Sequence, residues 1–325
     1  MNCEKVFEYL VKETEKYIVG NNLKSMVLGI SGGIDSTVCA AICHKVSENT
    51  GIPLIGRSLP IKNKSDEFSV STMVGEVLCD DFEIVALHNP YETMLSEIRC
   101  FEKVEKQTAI ANGNIQARLR MIYLYNLAGV NNGIVIDTDN LSEHYLGFYT
   151  IHGDSGDLNP IGSLWKTEVY ELANYLKDYY HKMCDMMIDE DIRLSHTYQK
   201  AAIAIEKSIA LTPTDGLGIS SSDLEQIGAD NYNQVDDILE MIVYTPNADK
   251  QDAINELSKK YPKSIVMNVY DRYVRTSFKR KHLPIKVLID GTHAELGTKS
   301  SILPYKYGMY DVDGQKTKNR DNGGR

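Results

Sequence analysis

The chain has 325 residues, 42% of them hydrophobic and 25% charged, with a formal net charge of −10. That composition supports a buried core in one large domain or two small ones, and the acidic balance argues against a nucleic-acid-binding surface or a polybasic membrane anchor. No run of eighteen apolar residues occurs, so no transmembrane helix is expected. Six cysteines without a C-x-x-C pair speak against zinc and thioredoxin-like sites and fit a reducing cytoplasm.

Taken in chain order, Val6, Tyr9, Leu10, Glu13 and Tyr17 stand near helical spacing and predict an amphipathic helix over 3–19. The run 25–30 reads as a strand, 35–49 as a helix, and 52–59 as a second strand. Residues 65–78 read as a helix with Ser65 as its N-cap, because Ser is favoured there and acids follow. A third strand is expected over 82–87, a helix over 114–129 that ends at a glycine, and a fourth strand over 131–138. Strands alternating with helices, each strand short and evenly apolar, predict a parallel sheet covered on both faces. Beyond residue 140 the spacing changes. A glycine-rich loop is expected over 143–163, a helix over 166–177, and a turn-rich, mobile segment over 211–223. Helices near 233–243 and 249–260 and the stretch 269–284 form a helical C-terminal region, and the polar end is expected to be disordered.

The stretch "LGISGGIDSTVCAAI" (28–42) carries the chemistry. Gly29-Ile30-Ser31-Gly32-Gly33 formally fits G-x-S-x-G, which would make Ser31 a nucleophile, but such an elbow follows several strands and here follows one. G-x-G-x-x-G and G-x-x-x-x-G-K-[ST] are both absent, which weakens a dinucleotide or Walker-type reading. The third reading is a phosphate cradle. Gly32 and Gly33 let the backbone come close to a ligand. Free N–H groups and the dipole at the following helix start attract an anion. Ser31 and Ser36 add hydroxyl donors, and Asp35 fits beside an anion if a divalent cation such as Mg2+ lies between them.

S-G-G-x-D-S after a first strand resembles the pyrophosphate (PP) loop of the ATP pyrophosphatases. Four further segments resemble NAD synthetase within that superfamily: "NIQARLRMIYLYNLA" (114–128), "DTDNLSEHYLGFYTIHGDSGDLNPIGSLWKTEVYELANYL" (137–176), "TPTDGL" (212–217) and "SFKRKHLP" (277–284), in the family's order. The resemblance implies a doubly wound parallel sheet with flanking helices, like that of the adenine nucleotide alpha hydrolases. It places a single α/β domain over 1–284 and a C-terminal extension over 285–325. It also implies a ligase that uses ATP and Mg2+ to join ammonia to deamido-NAD through an adenylate, giving NAD, AMP and pyrophosphate. Ser31, Gly32, Gly33, Asp35 and Ser36 would hold the ATP phosphates, with Asp35 and Glu143 as metal ligands. Thr150 and Lys166 would complete the ATP site. Asn114, Asp154 and Asp157 would contact the dinucleotide, and Asp35, Lys166 and Asp154 would act in catalysis. One of Arg118 and Arg120, which diverge around their helix, would face nucleotide, and Thr214 would close over the phosphates. Family members are homodimers, so a homodimer is implied, with small molecules as the only other partners.

The chain departs from the family pattern at several positions. Asp137 replaces a glycine, Ile151 a lysine, Asp215 an alanine and Phe278 a histidine, and one residue is missing between Asp154 and Asp157. These changes leave open a different acceptor, another PP-loop enzyme, or a nucleotide-binding protein without activity. Residues 1–30 precede the first motif, and the C-terminal remainder lacks a nitrilase-like catalytic set, so no built-in glutaminase is expected.

Overall fold

The computed structural model describes residues 1–61, 65–98, 105–212 and 222–280. Four parallel strands form its sheet: β1 (Ser25–Gly29), β2 (Leu54–Ser58), β3 (Asp81–Ile84) and β4 (Gly133–Val135), in the order β3-β2-β1-β4. Met26 pairs with Leu54 on one side of β1 and with Ile134 on the other. The order reverses at β1: the chain steps outward through β2 and β3, then returns to lay β4 on β1's free edge. In open parallel sheets, ligands sit beyond the carboxyl ends of the strands at such a reversal.

Alternation along the strands explains the layers. Met26, Leu28, Leu54 and Ile134 face a large core shared with α1 (Cys3–Gly20), α2 (Ile34–Thr50), α3 (Ser65–Leu78), α7 (Lys166–Met187) and α8 (Ile192–Ala210). Val27, Ile55 and Val135 face the other way, onto Ala128 of α5 (Glu105–Val130). Both faces of the sheet are thereby covered, and α4 (His88–Glu97) packs beside α5 through Tyr91. A separate apolar cluster joins α6 (Leu141–Leu146), α10 (Tyr232–Tyr244), α11 (Lys250–Lys260) and α12 (Lys263–Arg275), with Leu146, Trp165, Val235 and Val266 at its centre. A short helix, α9 (Asp223–Ile227), leads into that cluster.

Several expectations are corrected. The first helix buries Phe7, Val11, Thr14 and Ile18, one residue around from the expected stripe, and leaves Tyr9 and Tyr17 exposed. Ser65 is already helical rather than the residue before the helix. Within the expected loop 143–163, residues up to Leu146 are helical, because the Asn140 side chain accepts from Glu143 N and the Glu143 side chain accepts from Asn140 N. That reciprocal pair satisfies two otherwise orphaned donors. The helices expected over 114–129 and 166–177 run on to Glu105–Val130 and Lys166–Met187. Three helices were not expected at all: α4, the short α9, and α8, whose buried face is built largely of Ser195, Ala201, Ala202, Ala204 and Ser208 and so carries a weak apolar signal. Residues 213–221, expected to be mobile, and the extension 285–325 lie outside the described residues, as does Thr214.

Candidate active site

The turn between β1 and α2 is shaped by Gly32, whose φ of 86° lies in the region that favours glycine. Gly33 then caps α2 without a side-chain hydrogen bond to the helix. The leading amides of a seventeen-residue helix are thus left without a side-chain acceptor, at the positive end of its dipole. The turn itself is tied down. Gly33 N donates to Ser31 Oγ at 3.1 Å, Ser31 and Ser36 hydroxyls lie 3.0 Å apart, and Ser36 Oγ donates to Gly33 O. From α8, Ser208 Oγ donates to Gly32 O at 2.7 Å and lies 2.8 Å from Thr37 Oγ1. Ser208 was not anticipated, since nothing in its local pattern separates it from a small core residue.

A cavity of about 330 Å3 opens in front of this turn, within the usual range for small-molecule sites. Ser31, Gly33, Asp35 and Ser36 line it from one side, and Asp139, Glu143, Asp154 and Lys166 from another. Lys166, the first residue of α7, is 1% exposed, which excludes the solvated surface lysine that its position suggests. Its Nζ donates to Asp35 Oδ2 at 2.5 Å and to Glu143 Oε1 at 2.9 Å. Burial works against the ammonium, but the two carboxylates outweigh it and hold the Lys166 pKa well up. Burial, reinforced by Asp35, pushes the Glu143 carboxyl up to about 7 despite Lys166. Asn140 Nδ2 donates to the other Asp35 oxygen at 2.8 Å. The N-x-x-E spacing of Asn140 and Glu143 is the sequence signal that could have found it.

Asp139 lines the same cavity, and burial followed by the charges of Asp137, Asp154, Glu143 and Asp35 pushes its carboxyl pKa well up. Acidic oxygens therefore crowd one wall, with Lys166 as the cation between two of them. Hard oxygen donors of this kind suit a divalent cation shared with phosphate oxygens. Among the described residues, no three potential ligands stand close enough to enclose a metal alone.

The remaining residues singled out from sequence divide. Thr150 Oγ1 donates to Asn114 Oδ1 at 2.8 Å, and Thr150 N to Asp154 Oδ1 at 2.5 Å, so these three form one cluster. Arg118 and Arg120 diverge as expected: Arg120 Nε donates to Leu59 O and Arg120 lines the cavity, whereas Arg118 Nη2 donates to Ile151 O. Asp157 is engaged elsewhere. It accepts from Tyr125 Oη at 2.8 Å and from Val135 N at 3.3 Å, which pins α5 and β4 together and leaves it out of the cavity lining. Lys279 donates to the carbonyls of Gly147 and Tyr149, and Arg280 packs over the Tyr273 ring. Lys279 and Arg280, in the described part of the "SFKRKHLP" stretch, thus fasten the loop after α6.

A family model described as NAD synthase matches residues 6–283. The NH3-dependent NAD+ synthetase of Finegoldia magna is 37% identical over 177 residues, covering 54% of this chain and 70% of that protein. Among solved structures, an NMN synthetase from Francisella tularensis superposes with a TM-score of 0.67 at 24% identity, over 89% of this chain and all of that one. An NH3-dependent NAD synthetase from Campylobacter jejuni, in complex with nitrate, superposes with a TM-score of 0.60 at 23% identity, over 88% of this chain and all of that one. At these identities the two structures speak to the fold.

Proposed function

Because the chain belongs to the NAD synthase family, we propose that it amidates the carboxylate of deamido-NAD with ammonia at the expense of ATP, by way of an acyl-adenylate. One observation carries this reading: an uncapped, glycine-shaped start of α2 shares a cavity with the Asp35–Lys166–Glu143 cluster. Main-chain donors there suit the phosphates, and Lys166 is placed to meet charge that grows on them. A carboxylate resists ammonia, so the acceptor's oxygen first bonds to the α-phosphorus and pyrophosphate departs. Ammonia then bonds to the acyl carbon, the acyl C–O bond breaks, AMP leaves and a proton is lost. The chain's contribution is positioning and charge neutralisation.

Asp35 and Glu143, with Asp139 beside them, fit a Mg2+ bound jointly with ATP, since this ion favours one or two carboxylates plus phosphates and water. When bound, it would supply charge neutralisation to the departing pyrophosphate. Asp154 and Asn114 are assigned to the acceptor side, Thr150 to the ATP site beside them, and Thr214 to closure over the phosphates. The same reading includes a cytoplasmic homodimer. It draws on exposed Ile122 and Val130 on α5 as surface for a second copy, and on the lack, among the described residues, of any helix long and apolar enough to cross a membrane.

A second acceptor has a specific observation in its favour. The lysine expected at 151 is isoleucine, which removes a cation from that end of the cleft. Without that cation the second phosphate of a dinucleotide loses a partner, so the mononucleotide half, nicotinate mononucleotide, is the alternative. Assays with ATP, Mg2+ and ammonium, run separately with each acceptor and read by mass spectrometry, decide between them. NAD and pyrophosphate in equal amounts support the first reading. The mononucleotide amide in preference supports the second, and neither amide refutes both.

A further inference from the structure

We propose that Asp236, on α10 and outside the nucleotide cavity, is a positioning residue that sets Lys166 and Glu143 against Asp35. This inference rests on the amidation reading above. Asp236 is 5% exposed and lies within the apolar cluster around Val235 and Leu239. Its Oδ1 accepts from Ser142 Oγ at 2.6 Å, and its Oδ2 accepts from Thr167 N at 2.9 Å. Ser142 Oγ in turn accepts from Lys166 N at 2.8 Å.

These three bonds answer a specific structural need. The first amides of α7 have no partner within their own helix, and a buried N–H without an acceptor is costly. α7 begins at Trp165 and Lys166 without a local side chain to cap the amides of Lys166 and Thr167. Asp236 and Ser142 provide those acceptors from two other helices, and a carboxylate at a helix N-terminus also meets the favourable end of the dipole. The consequence is geometric. Ser142 is adjacent to Glu143 on α6, and Thr167 is adjacent to Lys166 on α7. One carboxylate therefore fixes the starts of both elements whose side chains converge on Asp35. The circuit closes through Asn140, which caps α6 and donates to Asp35.

Asparagine cannot reproduce this. Its single oxygen can accept from Ser142 or from Thr167 N but not from both, while its size and shape are preserved. Asp236→Asn is expected to lower kcat at least about ten-fold through misplacement of Lys166, and to weaken ATP binding by about three-fold. Ser142→Ala should act on the same circuit, so the double variant should lose little more than the worse single one. Leu239→Ala, fully buried in the same helix, is the control for mere destabilisation. It should lower the thermal midpoint yet keep kcat within about two-fold at a temperature where it is folded. Wild-type turnover by Asp236→Asn, multiplicative losses in the double variant, or an equal fall in kcat with Leu239→Ala would each overturn the proposal. If the wild-type protein amidates neither acceptor, the functional reading fails on its own. Calorimetry with ATP and Mg2+ then still decides on Asp236: weaker binding in Asp236→Asn but not in Leu239→Ala supports it, and equal binding overturns it.

Discussion

Replacing Lys166 with methionine tests the electrostatics of the site with the fewest side effects on shape. The lysine side chain is 2% exposed, and its partners Asp35 and Glu143 are 15% and 14% exposed. At 2.5 and 2.9 Å, each contact amounts to about 6 kcal/mol of gross attraction at an effective dielectric near 20, most of it offset by desolvation of the ions. Removing the cation leaves two carboxylates facing one another without it, and breaking such a buried arrangement costs about 3–5 kcal/mol. The thermal midpoint should fall by on the order of 10 °C. The loss must depend on pH. Without the ammonium, the paired carboxyls hold a proton more tightly in the folded state than in the unfolded one, so lower pH relieves the repulsion. Lys166→Met should therefore be much closer to wild type at pH 5 than at pH 8 in urea denaturation followed by circular dichroism. A loss of stability independent of pH, or none, would refute the ion cluster.

The other expectations are narrower. Glu143 is raised from 4.5 to about 7, so the stability tied to its proton is fully present below pH 4.5 and is lost as pH rises through 7. Glu143→Gln should flatten that decline in the ligand-free protein, by up to about 3 kcal/mol across the window in urea midpoints. Gly32→Ala forces a side chain into φ 86° and should cost about 1–2 kcal/mol, with a raised KM for ATP in steady-state assays. Ser208→Ala removes the donor to Gly32 O and should destabilise by about 1–3 kcal/mol while weakening ATP binding measured by calorimetry.

The sequence made the frame and the phosphate end of the site legible because both depend on local order. Strand, glycines, acid and helix follow one another within 25–50, and their periodicities are strong. The acceptor end and the bracing of the site depend on residues brought together from far apart. Ser208 reaches Gly32 across 176 positions, and Asp236 reaches Ser142 across 94, with no local pattern to announce either. Lys166 enters the site from sequence through family resemblance alone, and its burial between Asp35 and Glu143 is a product of the fold. Asp157 shows the converse: a motif position suggested a ligand contact, and tertiary packing gives its two oxygens to Tyr125 and Val135. Helix α8 escaped notice because serine and alanine form much of its buried face, so the helical period is present without the hydrophobicity that usually reveals it.

The central claim, that this cavity activates a carboxylate by transferring AMP to it, is tested most directly by isotope position. The acceptor is prepared with oxygen-18 in its carboxylate and turned over once with ATP, Mg2+ and ammonium. An acyl-adenylate requires one labelled oxygen in the released AMP and none in pyrophosphate. AMP without label alongside amide product would contradict it.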